Sequence, residues 1–322
     1  TGSGPSAKSQ LNINVAHGLK ARWALSKGDW AEAAASAILA RKGFPLLNES
    51  DWLSGFNSND LPEVIWGSNV IDAETTFFRS YFYLASNTFN GSQIRNNPKF
   101  ADRRLVDAIP ATDYRGKVFL PDAPNSNTSA ANGEGGWAKN TNPLYTTEAE
   151  FDAAIATIKA DYGLISGHNT HPYMHFKLKQ KNPGTIDPDD IIYMRSSEMY
   201  LIEAEALAMS GDVLGAQTAL DVLASERDSG FDINIFNTQQ LLMDEIKFQR
   251  RVELWGEGFG YTDKIRWDEG IDHAANGGSG AAAVLYQQAY QIDKPSINDD
   301  WIFKIPQKEI DANPNLTGAD QN

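Results

Sequence analysis

The chain contains no cysteine, so no disulfide framework, thiolate metal site or cysteine nucleophile can exist in it. That absence leaves an exported protein open. No apolar run approaches the ~18 residues that a membrane-spanning helix needs. The opening residues, Thr1-Gly2-Ser3-Gly4-Pro5-Ser6, lack the basic and apolar regions of a signal peptide and read as a linker or boundary segment. Basic side chains are scarce, 28 against 42 acidic, for a net charge of -14. This balance repels phosphate backbones and anionic headgroups, and speaks against a nucleic-acid partner. It suits neutral ligands such as sugars, and it also simply keeps a protein soluble. No Gly-x-Ser-x-Gly elbow occurs. The glycine-rich pieces Asn132–Gly136 and Asn276–Gly280 lack a Walker lysine and a Rossmann setting, and read as loops.

What is present is helical. From Leu11 to Lys42, Ala16, Leu19, Ala21, Trp23 and Ala24 precede Gly28-Asp29, and Ala31, Ala33, Ala34, Ala37 and Ile38 follow. Gly28 suits the left-handed residue that ends a helix and Asp29 can cap the next, so the segment reads as a helix pair. The element returns 183 residues later, with Leu19, Ala21, Gly28, Asp29 and Ala33 aligning with Ile202, Ala204, Gly211, Asp212 and Ala216. Small residues at the crossing of paired helices point to tetratricopeptide-like units. Two pairs fall short of the three or so such arrays need, so other segments must cover their faces.

Between the pairs, residues 48–143 are rich in asparagine, glycine, proline and aromatics and read as a loop-rich insertion, with a short strand from Glu63 to Ser68. Thr147 and Glu150 form a capping box that starts a helix running to Gly163. A second pair over 190–228, a helix from Gln239 to Trp255 with a turn to 267, and a closing strand Ile302–Ile305 in the tail 300–322 complete the reading. The expectation is one mainly α domain over 1–322.

Three blocks carry a family resemblance. Arg250-Arg251-Val252-Glu253-Leu254-Trp255-Gly256-Glu257-Gly258 leads into Asp263-Lys264-Ile265-Arg266-Trp267; Asp190-Ile191-Ile192-Tyr193-Met194-Arg195 precedes Glu198 and Leu201–Ala206; and Ile305-Pro306-Gln307-Lys308-Glu309-Ile310-Asp311-Ala312-Asn313-Pro314-Asn315-Leu316 closes the chain. Together with the first helix pair they resemble the C-terminal portion of SusD/RagB-type nutrient-binding lipoproteins. Two positions depart from the family pattern: Gln249 replaces an acidic residue and Lys264 a leucine. The resemblance implies a tetratricopeptide-like scaffold with an irregular ligand-binding subdomain. It also implies display on the outer membrane through a lipid anchor that this sequence does not contain, and pairing with a TonB-dependent transporter of the SusC type. Asn322 is expected near the family's natural end.

Glu253, Glu257 and Asp263 could supply a glycosidase's carboxylates, but Arg250 is three residues from Glu253 on one helix, and Arg266 could close a charge network onto Glu257 or Asp263. A structural role is expected, with no catalysis. His168, His171 and His175 could hold zinc, yet Pro172 interrupts the helix that would align them. Asp187, Asp189 and Asp190 lack the glycine and terminal glutamate of a calcium loop. No metal and no cofactor is expected. Ligand contact falls instead to aromatics, whose faces cover the C–H face of a sugar while amides and hydroxyls bond its rim. The candidates are Phe77, Arg79, Tyr81, Tyr83, Phe89, Asn90 and Trp137, in a protein that binds oligosaccharide without transforming it. Peptide or another nutrient, or a purely protein-binding helical scaffold, are the alternatives.

Overall fold

The computed structural model describes residues 8–71, 81–128, 135–272 and 291–320. Helix α1 (Ile13–Lys27) starts at Asn12, whose side chain accepts from the N–H groups of Asn14 and Val15. It ends at Gly28, with φ +78°, a conformation open to glycine at little cost. Asp29 then accepts from Glu32 N–H and starts α2 (Trp30–Ala40). Asn14 reaches back across the pair, donating to the Ala40 and Lys42 carbonyls (3.1 and 3.2 Å), which satisfies the open end of α2.

Helix α3 (Glu148–Asp161) carries the Thr147/Glu150 capping box. The second pair, α4 (Ser196–Met209) and α5 (Val213–Arg227), repeats the first turn: Gly211 has φ +90° and Asp212 accepts from Gly215 N–H. Ala21, Ala24, Ala33 and Ala37 are buried in one pair, and Ala204, Ala208, Ala216 and Ala219 in the other. With no side chain beyond Cβ, these positions let the axes approach. The elements stack as α1, α2, α4, α5, and α6 (Gln239–Glu253) closes the far side against α4 and α5. The repeat is unequal in burial: Ile202 is fully covered, whereas its counterpart Leu19 is 42% exposed on the outer face of α1. Helix α7 (Gly260–Trp267) follows the signature turn.

Strands β1 (Val64–Ser68) and β2 (Ile191–Arg195) pair antiparallel and join the insertion to the stack. The insertion contributes little regular structure, only short helices such as Tyr81–Ala85, Ser92–Asn96 and Arg103–Asp107. It nevertheless has its own core of Trp52, Phe56, Phe82, Tyr83, Phe89, Tyr114 and Phe119. Two expectations need correction. No strand forms at Ile302–Ile305: Trp301 is the anchor, its indole donating to the Asp293 carbonyl (2.6 Å), Phe303 is 80% exposed, and a helix, Gln307–Ala312, follows. The signature helix stops at Glu253 because Gly256, at φ +78°, turns the chain away.

Candidate functional site

The signature folds into a buried charge hub. Glu253, at the end of α6, accepts from Arg115 Nη1 (2.9 Å), Arg195 Nη1 (2.5 Å), Arg227 Nε (3.2 Å) and the Trp52 indole (3.2 Å). Glu63, entering β1, takes Arg195 Nη1 (2.6 Å) and Arg227 Nη2 (2.9 Å) and also accepts from Leu47 N–H. Glu257 takes Arg195 and Lys177 (2.6 Å), and Arg115 also chelates Asp113. Four cations thus face four carboxylates drawn from the insertion, the segment before β2 that carries Lys177, β2, α5 and the signature. Burial by itself would push the Glu253 carboxyl up, but Arg227, Arg195 and Arg115 together hold it well below the usual carboxylate range. Burial pushes the Lys177 ammonium down to about 8 although Glu257 pulls the other way.

The expected Arg250–Glu253 pair is therefore not made. Arg250 Nε donates to Asp263 (2.7 Å), and Arg266 bridges Asp263 and Glu205. Three guanidinium groups converge on Glu253 from other elements and outcompete a helical neighbour. Each carboxylate considered for catalysis faces cations inside the protein. The histidines likewise turn to backbone carbonyls: His168 to Phe89, His171 to Pro172 and His175 to Ala85. Asp190 accepts from Asn59 and Val70 N–H, and Asp189 from Lys181 N–H, so these acids pin loops. Among the described residues no group of three histidines or acids is placed to hold a metal ion.

The aromatic candidates divide. Tyr83 and Phe89 are buried and meet edge to face, 5.4 Å between centroids, in the core of the insertion. Asn90 is half-buried and its N–H donates to the Thr185 carbonyl (2.9 Å). Trp137 is half-buried with its ring edge-on to Phe151 of α3 at 6.0 Å. Phe77 and Arg79 lie outside the described residues, as do residues 276–280 and most of the other glycine-rich piece. Tyr81 is the described candidate that lines a large cavity.

That cavity, of about 530 Å³, lies between α1, the β1–β2 ladder and α7. Trp66 and Tyr193 project from the two strands with ring centroids 5.0 Å apart and planes at 59°, leaving an angled aromatic wall. Tyr193 is 41% exposed. Tyr81 faces them with its hydroxyl donating to the Gly256 carbonyl (2.6 Å), and burial raises its pKa. Arg22 closes one side: it holds Glu198 through two bonds (2.7 and 2.6 Å), donates to the Tyr193 carbonyl and lies 5.1 Å above the Phe259 ring. Aromatic faces beside a fixed guanidinium and the Thr262 hydroxyl combine the two surfaces a sugar site requires. The sequence names neither Trp66 nor Tyr193 as a contact. Each sits in a segment read as strand, and only the pairing of those strands, which brings together residues 127 positions apart, turns two isolated rings into a wall.

Comparison with known proteins places the chain among related folds. The model of a family described as the SusD family matches residues 80–322. A SusD-like carbohydrate-binding protein from Bacteroides vulgatus is similar over 96% of this chain and 60% of its own, at 22% identity and a TM-score of 0.61. A sugar-binding protein from the same species, described as such provisionally, aligns with 98% of this chain and 60% of its own, at 21% identity and a TM-score of 0.63. Surface glycan-binding protein A from Bacteroides thetaiotaomicron, solved with laminarihexaose, aligns with 95% of this chain and 63% of its own, at 16% identity and a TM-score of 0.58. No curated protein sequence matches. The chain spans about three fifths of the length of these structures.

Proposed function

The chain belongs to the SusD family, and from that premise we propose that it is the glycan-capturing part of a cell-surface lipoprotein that delivers oligosaccharide to a SusC-like TonB-dependent transporter in the outer membrane. It acts by recognition, as one binding unit, and performs no chemistry. The observation that carries this reading is the Trp66–Tyr193–Tyr81 cavity, where ring faces are held open beside hydrogen-bonding groups. A sugar presents C–H groups on its faces and hydroxyls on its rim, and this pairing of surfaces matches both. The relative solved with laminarihexaose supports a glycan as the ligand class. A purely protein-binding scaffold would use a continuous helix face, and the aromatic cleft favours a small ligand over it.

Calorimetric titration against plant, host and microbial oligosaccharides and short peptides tests the proposal, with Tyr193→Ala as comparator. Saturable sugar binding lost in Tyr193→Ala is the expected result. Binding to peptides alone would remove the glycan claim, and sugar binding indifferent to Tyr193 would move the site.

A further inference from the structure

A second cavity, of about 590 Å³, opens on the other side of the signature turn, between the short helix Arg103–Asp107, α6 and α7. Its size falls in the range of ligand sites, roughly 300–1,000 Å³. Its wall carries Trp255, Trp267 and Phe248, and four cations, Arg104, Arg250, Arg251 and Lys264, stand along it with three carboxylates, Asp102, Asp263 and Asp272. Three of the cations are matched: Arg250 holds Asp263 (2.7 Å). Arg104 holds Asp102 (2.7 Å) and donates to the Asp272 carbonyl, and Arg251 pairs with Glu269.

Lys264 is different. Its ammonium donates to the Gly270 carbonyl (2.8 Å), and no carboxylate oxygen of the described residues lies within 4.0 Å of it. Glu269, the acid that opposes the fall in its pKa, is already shared by Lys247 and Arg251. Burial lowers the Lys264 pKa, and Arg251 and Arg104 add to the fall while Glu269 opposes it. A half-buried ammonium beside two guanidinium groups and without a counterion of its own is costly to keep charged. An incoming anion removes that cost and forms charge-assisted hydrogen bonds with the remaining N–H donors.

We propose that this cavity is a second binding site, which takes the carboxylate of an acidic sugar on Lys264 beside Arg104 and Arg251, with the sugar ring against Trp255 and Trp267. Each cation plays a separate part. Lys264 supplies a charge with no ion-pair partner among the described residues, and the two arginines, held by Asp102 and Glu269, add positive charge that disfavours a cationic group in the same place. The site is distinct from the Trp66–Tyr193 cavity: neither Tyr193 nor Tyr81 lines it.

Titration of the full chain with glucuronate, with glucose and with sodium sulfate at matched ionic strength tests this. Glucuronate is expected to bind about ten-fold or more tightly than glucose, to weaken with added salt, and to lose that margin in Lys264→Leu and Lys264→Gln. Thermal unfolding of both lysine variants checks that they fold, and the glutamine variant keeps the test valid should leucine disturb the turn. Equal binding of glucuronate and glucose, no binding of glucuronate, or binding that survives both variants would overturn the proposal. Sulfate bound as tightly as glucuronate would overturn the part assigned to the sugar ring. Because neutral oligosaccharide is read at Tyr193 and acidic sugar at Lys264, failure at one site is distinguishable from failure at the other.

Discussion

The hub around Glu253 and the cavity beside Tyr193 lie a few residues apart along the signature, and both are built where the insertion meets the helix stack. In the hub every charged group is matched, and all but Glu257, which reaches the edge of the cavity, are buried: Arg115, Arg195, Arg227 and Lys177 are all within 1% exposure. In the cavity the rings stay half open and the hydrogen-bonding groups sit at the edge. The difference teaches that carboxylates gathered near arginines do not by themselves mark a place where a ligand acts. A group that is already satisfied on all sides has nothing to offer one, whereas an aromatic face turned to solvent does.

Breaking the hub should have the largest effect. Arg195→Met leaves Glu63, Glu253 and Glu257 without their shared cation, and loss of one partner from a buried ion pair costs about 3–5 kcal/mol. Denaturant unfolding should show that loss, or failure to fold, and a change below 1 kcal/mol would show that the hub is not the keystone described here. Acid should reveal the same network. Glu253 and Glu257 titrate below the ordinary carboxylate value of 4.5, so their contribution is complete above that pH and is lost as pH falls through the lowered folded values. Stability measured from pH 7 downward should drop below about pH 4.5, more steeply than in Glu257→Gln.

Smaller effects sharpen the comparison. Gly28→Ala and Gly211→Ala force a side chain into left-handed backbone and should each cost about 1–2 kcal/mol of stability, equally in both pairs if the turns are true equivalents. Trp66→Ala should weaken sugar binding by about 0.5–1.5 kcal/mol, the scale of a specific ring contact, with a lesser effect on unfolding than Arg195→Met. Trp137→Ala, whose ring packs on Phe151, should leave affinity unchanged.

The scaffold was legible in the sequence because its signals are local. Gly28-Asp29 and Gly211-Asp212 specify their turns within four residues, and Thr147 with Glu150 specifies a helix start. The site was far less so. Tyr81 reaches the aromatic cavity, while Tyr83 and Phe89, of similar local character, went into the core of the insertion. Composition distinguishes an aromatic from a polar residue, but not an inward from an outward ring where backbone periodicity is missing. The hub was hidden for a related reason: Glu63, Arg115, Arg195, Arg227 and Glu253 are joined across up to 190 positions of sequence, and a helical neighbour such as Arg250 looked the nearer partner.

The most direct test is a paired measurement on Tyr193→Ala: oligosaccharide affinity by calorimetry and stability by thermal unfolding, on the same preparation. The account predicts loss of sugar binding at nearly unchanged stability, because the ring is open to solvent and belongs to the ligand. Sugar binding retained at full strength in that variant would contradict it.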